Sequence, residues 1–330
     1  MKVVQISVEE LSLSTSSPFQ SSYWASVKHT NGWDASAYTF DGKELLVLKK
    51  NIFLKYALCY IPYGPDLARG PLRYEHLQEL SDAIHRYTGR NVFAMRWDVP
   101  WDKDAPRGTL PRRIKIAPYS IQPEGTVIIS LTGGEDAVFA QMRKRAKRNI
   151  TRSMQQIDIS EWDGSPKNFN QWYESYRETS VRDSFKPRAK AYMETVLQMG
   201  SGRYSNGVES RLYLAWEHNR MIGGNIVLYT KDMALYLFGA SLRGETSASP
   251  SYALQWYTIK QAIARGCRIY DLYGIAPGHD VYHHLHNLNL FKTGFGGEQT
   301  YRDGCFDVVY NPIIYDAYLI AEHIRMARSR

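Results

Sequence analysis

The chain has 330 residues, of which 44% are hydrophobic and 22% charged, and its mean hydropathy is −0.42. These values are typical of a folded globular protein and exclude disordered, collagen-like and coiled-coil compositions. Lys and Arg exceed Asp and Glu by 41 − 33 = 8, an excess that favours an anionic partner. At one domain per roughly 100 to 200 residues, we expect two domains.

The sequence also carries signals of cellular compartment. No window approaches the roughly 18 uninterrupted apolar residues of a membrane span, and the N-terminal MKVVQISVEELSLSTSS lacks the apolar core of a secretory signal. Three cysteines, Cys59, Cys267 and Cys305, are far apart and odd in number, which fits neither a disulfide framework nor a CxxC metal site. We therefore expect a cytoplasmic protein with reduced thiols.

One pattern of predicted elements occurs twice along the chain. In the first half, the strands SAYTF, LLVLKK and YALCYIPY precede a helix at about 74–87 and the strand VFAMRWD. In the second half, the strands RLYLAWE, MIGGNIVLY and MALYLFGAS precede a helix at about 252–264 and the strand CRIYDLYG. The repeat predicts an internal duplication of a β-β-β-α-β unit, which is the core of the GNAT acyltransferase fold.

We therefore predict an α+β protein with mixed sheets, made of two tandem GNAT-like domains with a cleft between them. The apolar stripe of YNPIIYDAYLIAEHIRMA predicts a C-terminal helix that returns to the first domain. The predicted domains are residues 1–135 plus 308–330, and residues 136–307.

A dense block of cations lies between the two repeats. Its members are Arg143, Lys144, Arg145, Lys147, Arg148 and Arg152. Apolar Val138, Met142, Ala146, Ile150 and Met154 recur every fourth residue, so the segment is predicted to form one amphipathic helix. Its charged side is either an ordinary solvated face or a surface for nucleic-acid phosphates.

Ten segments, in order, carry a family resemblance. They are PFQSSYWASVK, YIPYGPDL, RWDVPW, RKRAKRNI, FKPRAKAYMETV, LYLFGAS, PSYALQWYTIKQAIARG, YDLYGI, FKTGFGGE and YNPIIYDAYL. Their order resembles the Fem family, the aminoacyltransferases that build peptidoglycan interpeptide bridges from aminoacyl-tRNA. No segment is long enough for the helical arm of some members, so the chain resembles the compact form.

The resemblance implies transfer of an amino acid from aminoacyl-tRNA to the side-chain amine of the third stem-peptide residue of a peptidoglycan precursor. The implied acceptor is UDP-MurNAc-pentapeptide or a lipid-linked precursor. Because the ester donor is already activated, no nucleotide hydrolysis is needed, and the sequence has no GxxxxGK[ST] loop. No cofactor is expected.

Two residues are the catalytic candidates. Lys292 in FKTGFGGE has small neighbours, Gly294 and Gly296, that allow close backbone approach to a ligand, and its ammonium suits an oxyanion or a leaving ribose oxygen. Asp98 ends the strand VFAMRWD, where its carboxylate can hold the attacking amine. The alternative for Lys292 is a surface lysine in a glycine-rich turn. The alternative for Asp98 is a turn-forming residue before Val-Pro, with Arg96 simply paired to a neighbour.

Further candidates follow from the resemblance. The acceptor-binding candidates are Lys28, Arg188, Tyr192 and Tyr236. Arg188 and Tyr192 lie four residues apart and share a face if this stretch is helical. The tRNA-binding candidates are Arg143, Lys144, Lys147 and Arg148.

Four histidines in GHDVYHHLHN, His279, His283, His284 and His286, match no closed zinc pattern, so no metal site is predicted. Two other functions stay open: a GNAT-fold acyltransferase that uses acyl-CoA, and a non-catalytic RNA-binding module. The sequence leaves open which amino acid is transferred and whether the protein contacts a membrane peripherally. A monomer is expected.

Overall fold

The computed structural model describes residues 1–11, 17–64, 73–103, 108–183, 185–201, 207–242, 248–278, 283 and 285–327. The chain divides into two compact units, residues 1–124 with 301–329, and residues 125–300. Each unit contains one seven-stranded sheet.

The strands are β1 (Val3–Ile6), β2 (Asp34–Phe40), β3 (Lys43–Phe53), β4 (Tyr56–Ile61), β5 (Val92–Asp98), β6 (Ile114–Ile116), β7 (Gly125–Ser130), β8 (Asp158–Glu161), β9 (Glu209–Glu217), β10 (Arg220–Tyr229), β11 (Met233–Ser241), β12 (Ile269–Asp271), β13 (Glu298–Tyr301) and β14 (Cys305–Val309). The helices are α1 (Ser22–His29), α2 (Tyr74–Thr88), α3 (Gly134–Gln141), α4 (Lys144–Ser153), α5 (Pro166–Arg182), α6 (Lys190–Met199), α7 (Pro250–Ala264), α8 (His286–Lys292) and α9 (Pro312–Ala327).

The two sheets have matching strand orders except at the sixth position, where the first sheet has a strand from late in the chain, β14, and the second has the first strand of its unit, β7. The first runs β1-β2-β3-β4-β5-β14-β6, and the second, read in the matching direction, runs β8-β9-β10-β11-β12-β7-β13. In each sheet an antiparallel meander is followed by a helix and a parallel strand: β4 pairs with β5 and β11 pairs with β12. The predicted α+β fold with two GNAT-like domains is confirmed.

The domain boundaries differ from those predicted at 135/136 and 307/308. Strand β7 belongs to the second unit because it pairs with β12, which places the first boundary before Gly125. Strand β14 pairs with β5 and β6, so Cys305, Phe306 and Asp307 lie in the first unit. The division into units follows the hydrogen-bonded ladders of the two sheets.

Helices cover both faces of the first sheet. Leu77, Leu80 and Ile84 of α2 are buried in a cluster with Trp97 of β5. On the other face, α9 packs on β5 and contributes Tyr315 and Tyr318 to a second apolar cluster. This face also encloses a charged group that apolar periodicity does not reveal.

That charged group is an ion triad in the core of the first unit. Arg96 of β5 is fully buried and donates to both carboxylate oxygens of Asp307, at 2.8 Å each. It also donates to Glu322 of α9 at 2.6 and 3.1 Å. Tyr315 and Tyr318 donate their hydroxyls to the same two carboxylates. The triad therefore ties the C-terminal helix to the sheet.

Candidate active site

In the second unit, strand β11 separates from β12 after its first three residues. They pair only from Met233/Ile269 to Leu235/Asp271. Beyond Asp271 the chain stays with β7, because Leu272 N donates to Val127 O at 3.0 Å and Ile275 N donates to Gly125 O at 2.8 Å. The β11 residues from Tyr236 onward are therefore paired with β10 alone among the described strands. We call this opening the β11–β12 gap.

Lys292 lies at this gap, at the end of α8. Its ammonium donates to the backbone carbonyls of Tyr273 and Gly274, the latter at 2.7 Å. Both of these residues have positive φ angles, 52° and 48°, which turn the chain sharply after β12. The side chain is therefore buried in the second unit, and the alternative of a surface lysine is wrong.

Burial lowers the pKa of Lys292 to about 7, and the charge of Asp271 opposes this effect. Asp271 is itself buried and accepts hydrogen bonds from Thr126 Oγ1 and, at 2.7 Å, from Tyr273 N. A lysine with this pKa can give up or take up a proton near neutral pH. The sequence analysis missed Asp271. Like Asp98, Asp271 lies at the end of a strand, and this shared position could have identified it as a candidate.

Tyr236 forms another wall of the site. Lys292 Nζ lies 5.5 Å from the centre of the Tyr236 ring, which is a cation–π distance. A side chain at Gly239 would place its Cβ 1.8 Å from the Tyr236 hydroxyl, so only glycine allows this close approach. Burial raises the pKa of Tyr236 above its usual value. The structure thus brings together two of the predicted site residues, Lys292 and Tyr236.

The glycines beside Lys292 have a structural use that differs from the expected ligand approach. Gly296 has a φ of +80° and a Cβ there would lie 2.8 Å from the Gln141 side chain. At Gly297 a Cβ would lie 2.5 Å from Ile128 O. Gly294 O accepts a hydrogen bond from Arg143 N at 2.9 Å. These glycines therefore pack the Lys292 turn against the end of α3, the start of α4 and β7.

The basic segment forms two helices, and the prediction of one continuous helix is wrong. Met142 and Arg143 adopt extended backbone conformations between α3 and α4. The predicted apolar stripe is still buried at Val138, Met142, Ala146 and Ile150. The break occurs because Arg143 N bonds to Gly294 O instead of continuing the helix.

The cations of this segment do not share one environment. Arg143, Lys144, Arg145, Arg148 and Arg152 are exposed. Lys147 donates to Ala140 O at 2.7 Å and lies 5.7 Å from the Phe139 ring centre. Lys147 thus holds α3 and α4 together, whereas Arg148 points its charge to solvent.

Arg188 and Tyr192 do not share a helical face, because α6 begins at Lys190. Arg188 is exposed, and its backbone binds α5: its carbonyl accepts from Tyr173 Oη at 3.0 Å and its N–H donates to Tyr176 Oη at 3.4 Å. Burial raises the pKa of Tyr192 to about 12, while the Arg188 charge acts in the opposite direction. The ring of Tyr192 contacts Phe238 of β11 at 6.4 Å.

Asp98 lies in the first unit and is only 2% exposed. Its Oδ2 accepts from Tyr60 Oη at 2.6 Å and from Gln122 N at 3.0 Å, and its Oδ1 accepts from Cys305 Sγ at 2.8 Å. Burial raises the pKa of Asp98 to about 6 in spite of these donors. Both carboxylate oxygens are thus engaged within the unit. Arg96 pairs with Asp307 and Glu322, in agreement with the expectation that it pairs with a neighbour.

Lys28 also lies in the first unit, in the last turn of α1. It is half-buried, and its Nζ lies 4.9 Å from the ring centre of Trp24, one turn earlier. Of the histidine cluster, His279 and His284 lie outside the described residues. Within the described ranges, no group of three His, Cys, Asp or Glu side chains is placed to hold a metal ion.

Two tandem GNAT-like units, one with a buried lysine at its strand gap, define the structural class of the chain. Residues 211–323, about a third of the chain, match the model of the FemAB family. This match confirms the resemblance to the Fem family over these residues, which include the last five of the ten segments. No curated protein sequence matches the chain.

Solved structures agree with this class. FemX has 19% identity and a TM-score of 0.79, covering 97% of this chain and 100% of that one. The C-terminal domain of a putative lysylphosphatidylglycerol synthetase from Agrobacterium fabrum has 11% identity and a TM-score of 0.52, with coverage of 95% and 96%. L-PGS from Bacillus licheniformis has 10% identity and a TM-score of 0.50, with coverage of 91% of both chains. At these identities the likeness shows a shared fold. None of the helices in the described ranges has the length and apolar character of a membrane span.

Proposed function

We propose that the protein is an aminoacyltransferase of peptidoglycan precursor synthesis. It would move an amino acid from aminoacyl-tRNA to the side-chain amine of the third stem-peptide residue, in the cytoplasm. The FemAB match supports transfer chemistry and a peptidoglycan precursor at the general level. The tRNA donor and the precise acceptor are the finer parts of the proposal.

One observation supports aminoacyl-tRNA as the donor substrate. The turn that holds Lys292 is hydrogen-bonded through Gly294 O to Arg143 N, where the basic segment enters α4. The exposed cations of that helix are thus anchored a few residues from the candidate catalytic lysine. Phosphate contacts position a nucleic acid without reading its sequence. Such an arrangement suits a donor whose ester end reaches Lys292 while its phosphates bind α4.

The reaction needs few groups. The acceptor nitrogen attacks the ester carbonyl, an N–C bond forms, and the C–O bond to the ribose breaks. An ammonium at Lys292 stabilises the oxyanion of the tetrahedral intermediate, and with a pKa near 7 it can pass a proton to the departing ribose oxygen. The acceptor amine loses one proton as it becomes an amide nitrogen, and this proton replaces the one that Lys292 gives to the ribose oxygen, so Lys292 ends the reaction protonated.

Asp98 is the second proposed catalytic residue, which would hold the attacking amine. Its two oxygens already accept three hydrogen bonds, and because a carboxylate accepts about four, there is room for one from the amine. The Tyr60 hydroxyl and the backbone N–H of Gln122 would fix the orientation of the Asp98 carboxylate. Lys28, Arg188, Tyr192 and Tyr236 stay the proposed acceptor-binding residues, as members of the two units.

The test is a direct assay of transfer. The protein is incubated with a pool of charged tRNA and with UDP-MurNAc-pentapeptides that differ at the third residue, and the added mass is measured. A parallel arm uses the lipid-linked precursor in vesicles. We expect one aminoacyl increment that disappears after ribonuclease treatment. A product that is insensitive to ribonuclease, or that forms only with acyl-CoA, would contradict the proposal.

A further inference from the structure

Asp271, the last residue of β12, is a buried acid next to the turn that holds the candidate catalytic lysine. It is 1% exposed and accepts hydrogen bonds from Thr126 Oγ1 of β7 and from Tyr273 N, the latter at 2.7 Å. An aspartate that accepts from the N–H two residues later closes a local turn. The carboxylate of Asp271 therefore fixes the chain at Tyr273.

This turn supplies the acceptors of the Lys292 ammonium. Tyr273 donates its N–H to Asp271 and accepts from Lys292 Nζ with its carbonyl, so one residue joins the two side chains through its backbone. The Gly274 carbonyl accepts from the same ammonium at 2.7 Å. The φ angle of Tyr273 is +52°, a conformation that residues other than glycine adopt where their surroundings hold them. The bond to Asp271 provides such a hold.

Helix α8 is fixed to the chain after this turn by a separate contact. Asn289 lies three residues before Lys292 on α8, and its Oδ1 accepts from Ala276 N at 2.8 Å. Its Nδ2 donates to Ala276 O at 3.4 Å. The backbone of α8 is thus held by a contact that does not involve Asp271. A change at Asp271 should therefore act on the turn and on the ammonium, with α8 kept in place.

The charge of Asp271 also acts on Lys292. Burial lowers the Lys292 pKa because it disfavours the ammonium, and among the described residues Asp271 carries the charge that opposes this effect. The two turn carbonyls and the Tyr236 ring of β11 are neutral neighbours. Arg143 meets the Lys292 turn through its backbone, but its side chain is exposed, where solvent screens its charge.

We propose that Asp271 is a positioning residue for Lys292, because its carboxylate fixes the turn that holds the ammonium and its negative charge stabilises that ammonium. The part that the ammonium plays in transfer rests on the proposed function. A neutral amine at Lys292 would neither stabilise an oxyanion nor have a proton to give to the ribose oxygen. Asp271 thus keeps Lys292 in the form that the reaction needs without touching the substrate.

The titration of Lys292 tests this role directly. Lysines labelled with 13C at Cε report their protonation by NMR, and Lys292 is assigned by a titration near pH 7 that is lost in Lys292→Arg, since ordinary lysines titrate near about 10.4. Asp271→Asn removes the charge but keeps an oxygen that can accept from Tyr273 N. We expect the Lys292 titration to move to lower pH by about one unit or more. An unchanged titration in Asp271→Asn overturns the proposal.

Two control variants separate the charge of Asp271 from its hydrogen bonds. Thr126→Val removes one hydrogen bond to Asp271 and keeps the charge. Glu298→Gln removes an exposed negative charge from β13 of the same unit. In both variants Lys292 should titrate as in the wild type. A shift in Thr126→Val as large as that in Asp271→Asn would contradict the proposed effect of the charge.

The wild-type protein gives a test that needs no substitution at Asp271, and this test decides if Asp271→Asn does not fold. Because two interacting groups sense each other's titration, the 13Cγ signal of Asp271 should show an inflection where Lys292 titrates. The signal is assigned through the hydrogen bond to the Tyr273 N–H. The inflection should be absent from Lys292→Arg. An Asp271 signal without an inflection near pH 7 contradicts the proposal.

The rate of transfer is a second readout. In Asp271→Asn, kcat/KM should begin to fall at a lower pH than in the wild type, and below both transitions the variant should recover most of the wild-type rate. An equal loss at every pH would indicate a purely structural role and contradict the proposal.

The NMR titrations record protonation and are independent of transfer. If the Lys292 titration moves in Asp271→Asn but the wild type forms no aminoacyl product with any charged tRNA, the control of Lys292 by Asp271 stands and the proposed function fails. If the product forms but the Lys292 titration does not move, the proposed function stands and this inference fails.

Discussion

The two units share the order of their first five strands but differ in how far their central parallel strands stay paired. In the second unit, β11 and β12 part after Leu235 and Asp271, and Tyr236 is the first residue of β11 without a partner on β12. In the first unit, β4 and β5 stay paired as far as Ile61 and Trp97, and Gly64 N continues the ladder by donating to Asp98 O at 3.2 Å. The same fold is thus open in one unit and closed in the other.

The titratable groups differ in the same way. The second unit buries a lysine whose ammonium is held by two backbone carbonyls, and burial lowers its pKa to about 7. The first unit buries Asp98 among three donors, and burial raises its pKa to about 6. The two copies of the scaffold thus bury opposite kinds of titratable group, a lysine in the second unit and a carboxyl in the first. The predictions below test what each of these groups does.

The largest effect is expected on the stability of the closed unit. Arg96→Leu leaves the carboxylates of Asp307 and Glu322 buried without their cation, which should lower the free energy of unfolding by about 3 to 5 kcal/mol. Urea denaturation measures this change. The control is Arg113→Leu, which breaks a half-exposed pair with Asp82 and should cost less than about 1 kcal/mol. Equal effects of the two substitutions would show that the triad is not the anchor of α9.

A smaller effect is expected on transfer by the open unit. Lys292→Ala should raise the barrier by about 3 to 4 kcal/mol, as for loss of one oxyanion donor, with tRNA binding retained. Mass spectrometry of the product measures the rate, and filter binding measures tRNA affinity. Exposed Lys167 of α5 is the matched control, and Lys167→Ala should keep the wild-type rate. Unchanged function of Lys292→Ala would favour a non-catalytic RNA-binding role.

The pH dependence of transfer, measured for the wild type and for a Lys292 variant, tests the role of the Lys292 ammonium. The Lys292 ammonium is present below a pKa of about 7 and is lost above it, so kcat/KM should fall as the pH rises through about 7. Arginine keeps its charge to much higher pH. In Lys292→Arg, any residual activity should therefore lose this descending limb. If kcat/KM of Lys292→Arg still falls as the pH rises through about 7, the fall is caused by a titratable group other than Lys292.

Next in size is the pH dependence of stability in the closed unit. Between about pH 4 and 6, folded Asp98 binds more protons than unfolded Asp98, so its contribution to the free energy of unfolding falls as the pH rises, by roughly 3 kcal/mol. In Asp98→Asn, the free energy of unfolding should lose this part of its decrease with pH. Urea denaturation at several pH values between about 4 and 6 measures the difference from the wild type. Exposed Asp316→Asn is the control and should retain the decrease. A wild-type decline in Asp98→Asn would mean that other carboxylates cause it.

The sequence predicted the fold better than it predicted the site. Apolar periodicity located the helices α2 and α7 and the strands around them, because these elements bury one face each. It failed at the α3–α4 break, where a long-range hydrogen bond from Arg143 to Gly294 overrides a continuous apolar stripe. Local pattern contains no information on such a partner.

The same limit applies to the candidate site. The sequence singled out Lys292 and Asp98 as candidates by residue type and by position. It did not predict the burial of Lys292, which depends on the carbonyl groups of Tyr273 and Gly274, and the positive φ angles of these two residues orient the carbonyls. The engagement of Asp98 depends on Cys305, which reaches it through β14 from the far end of the chain. Both outcomes result from tertiary pairing, which single-sequence patterns do not specify.

The smallest expected effect concerns RNA binding by the open unit, and α4 offers a matched pair of neighbouring cations. Arg148 is exposed, whereas Lys147 is engaged by Ala140 O and the Phe139 ring. If α4 binds tRNA phosphates, Arg148→Ala should reduce the slope of log affinity against log salt by about one. Lys147→Ala should leave that slope unchanged and instead lower thermal stability, since it removes a contact between α3 and α4. Because the two positions are adjacent and lose the same charge, a change of slope at Lys147 with none at Arg148 would contradict an RNA-binding face made of the exposed cations.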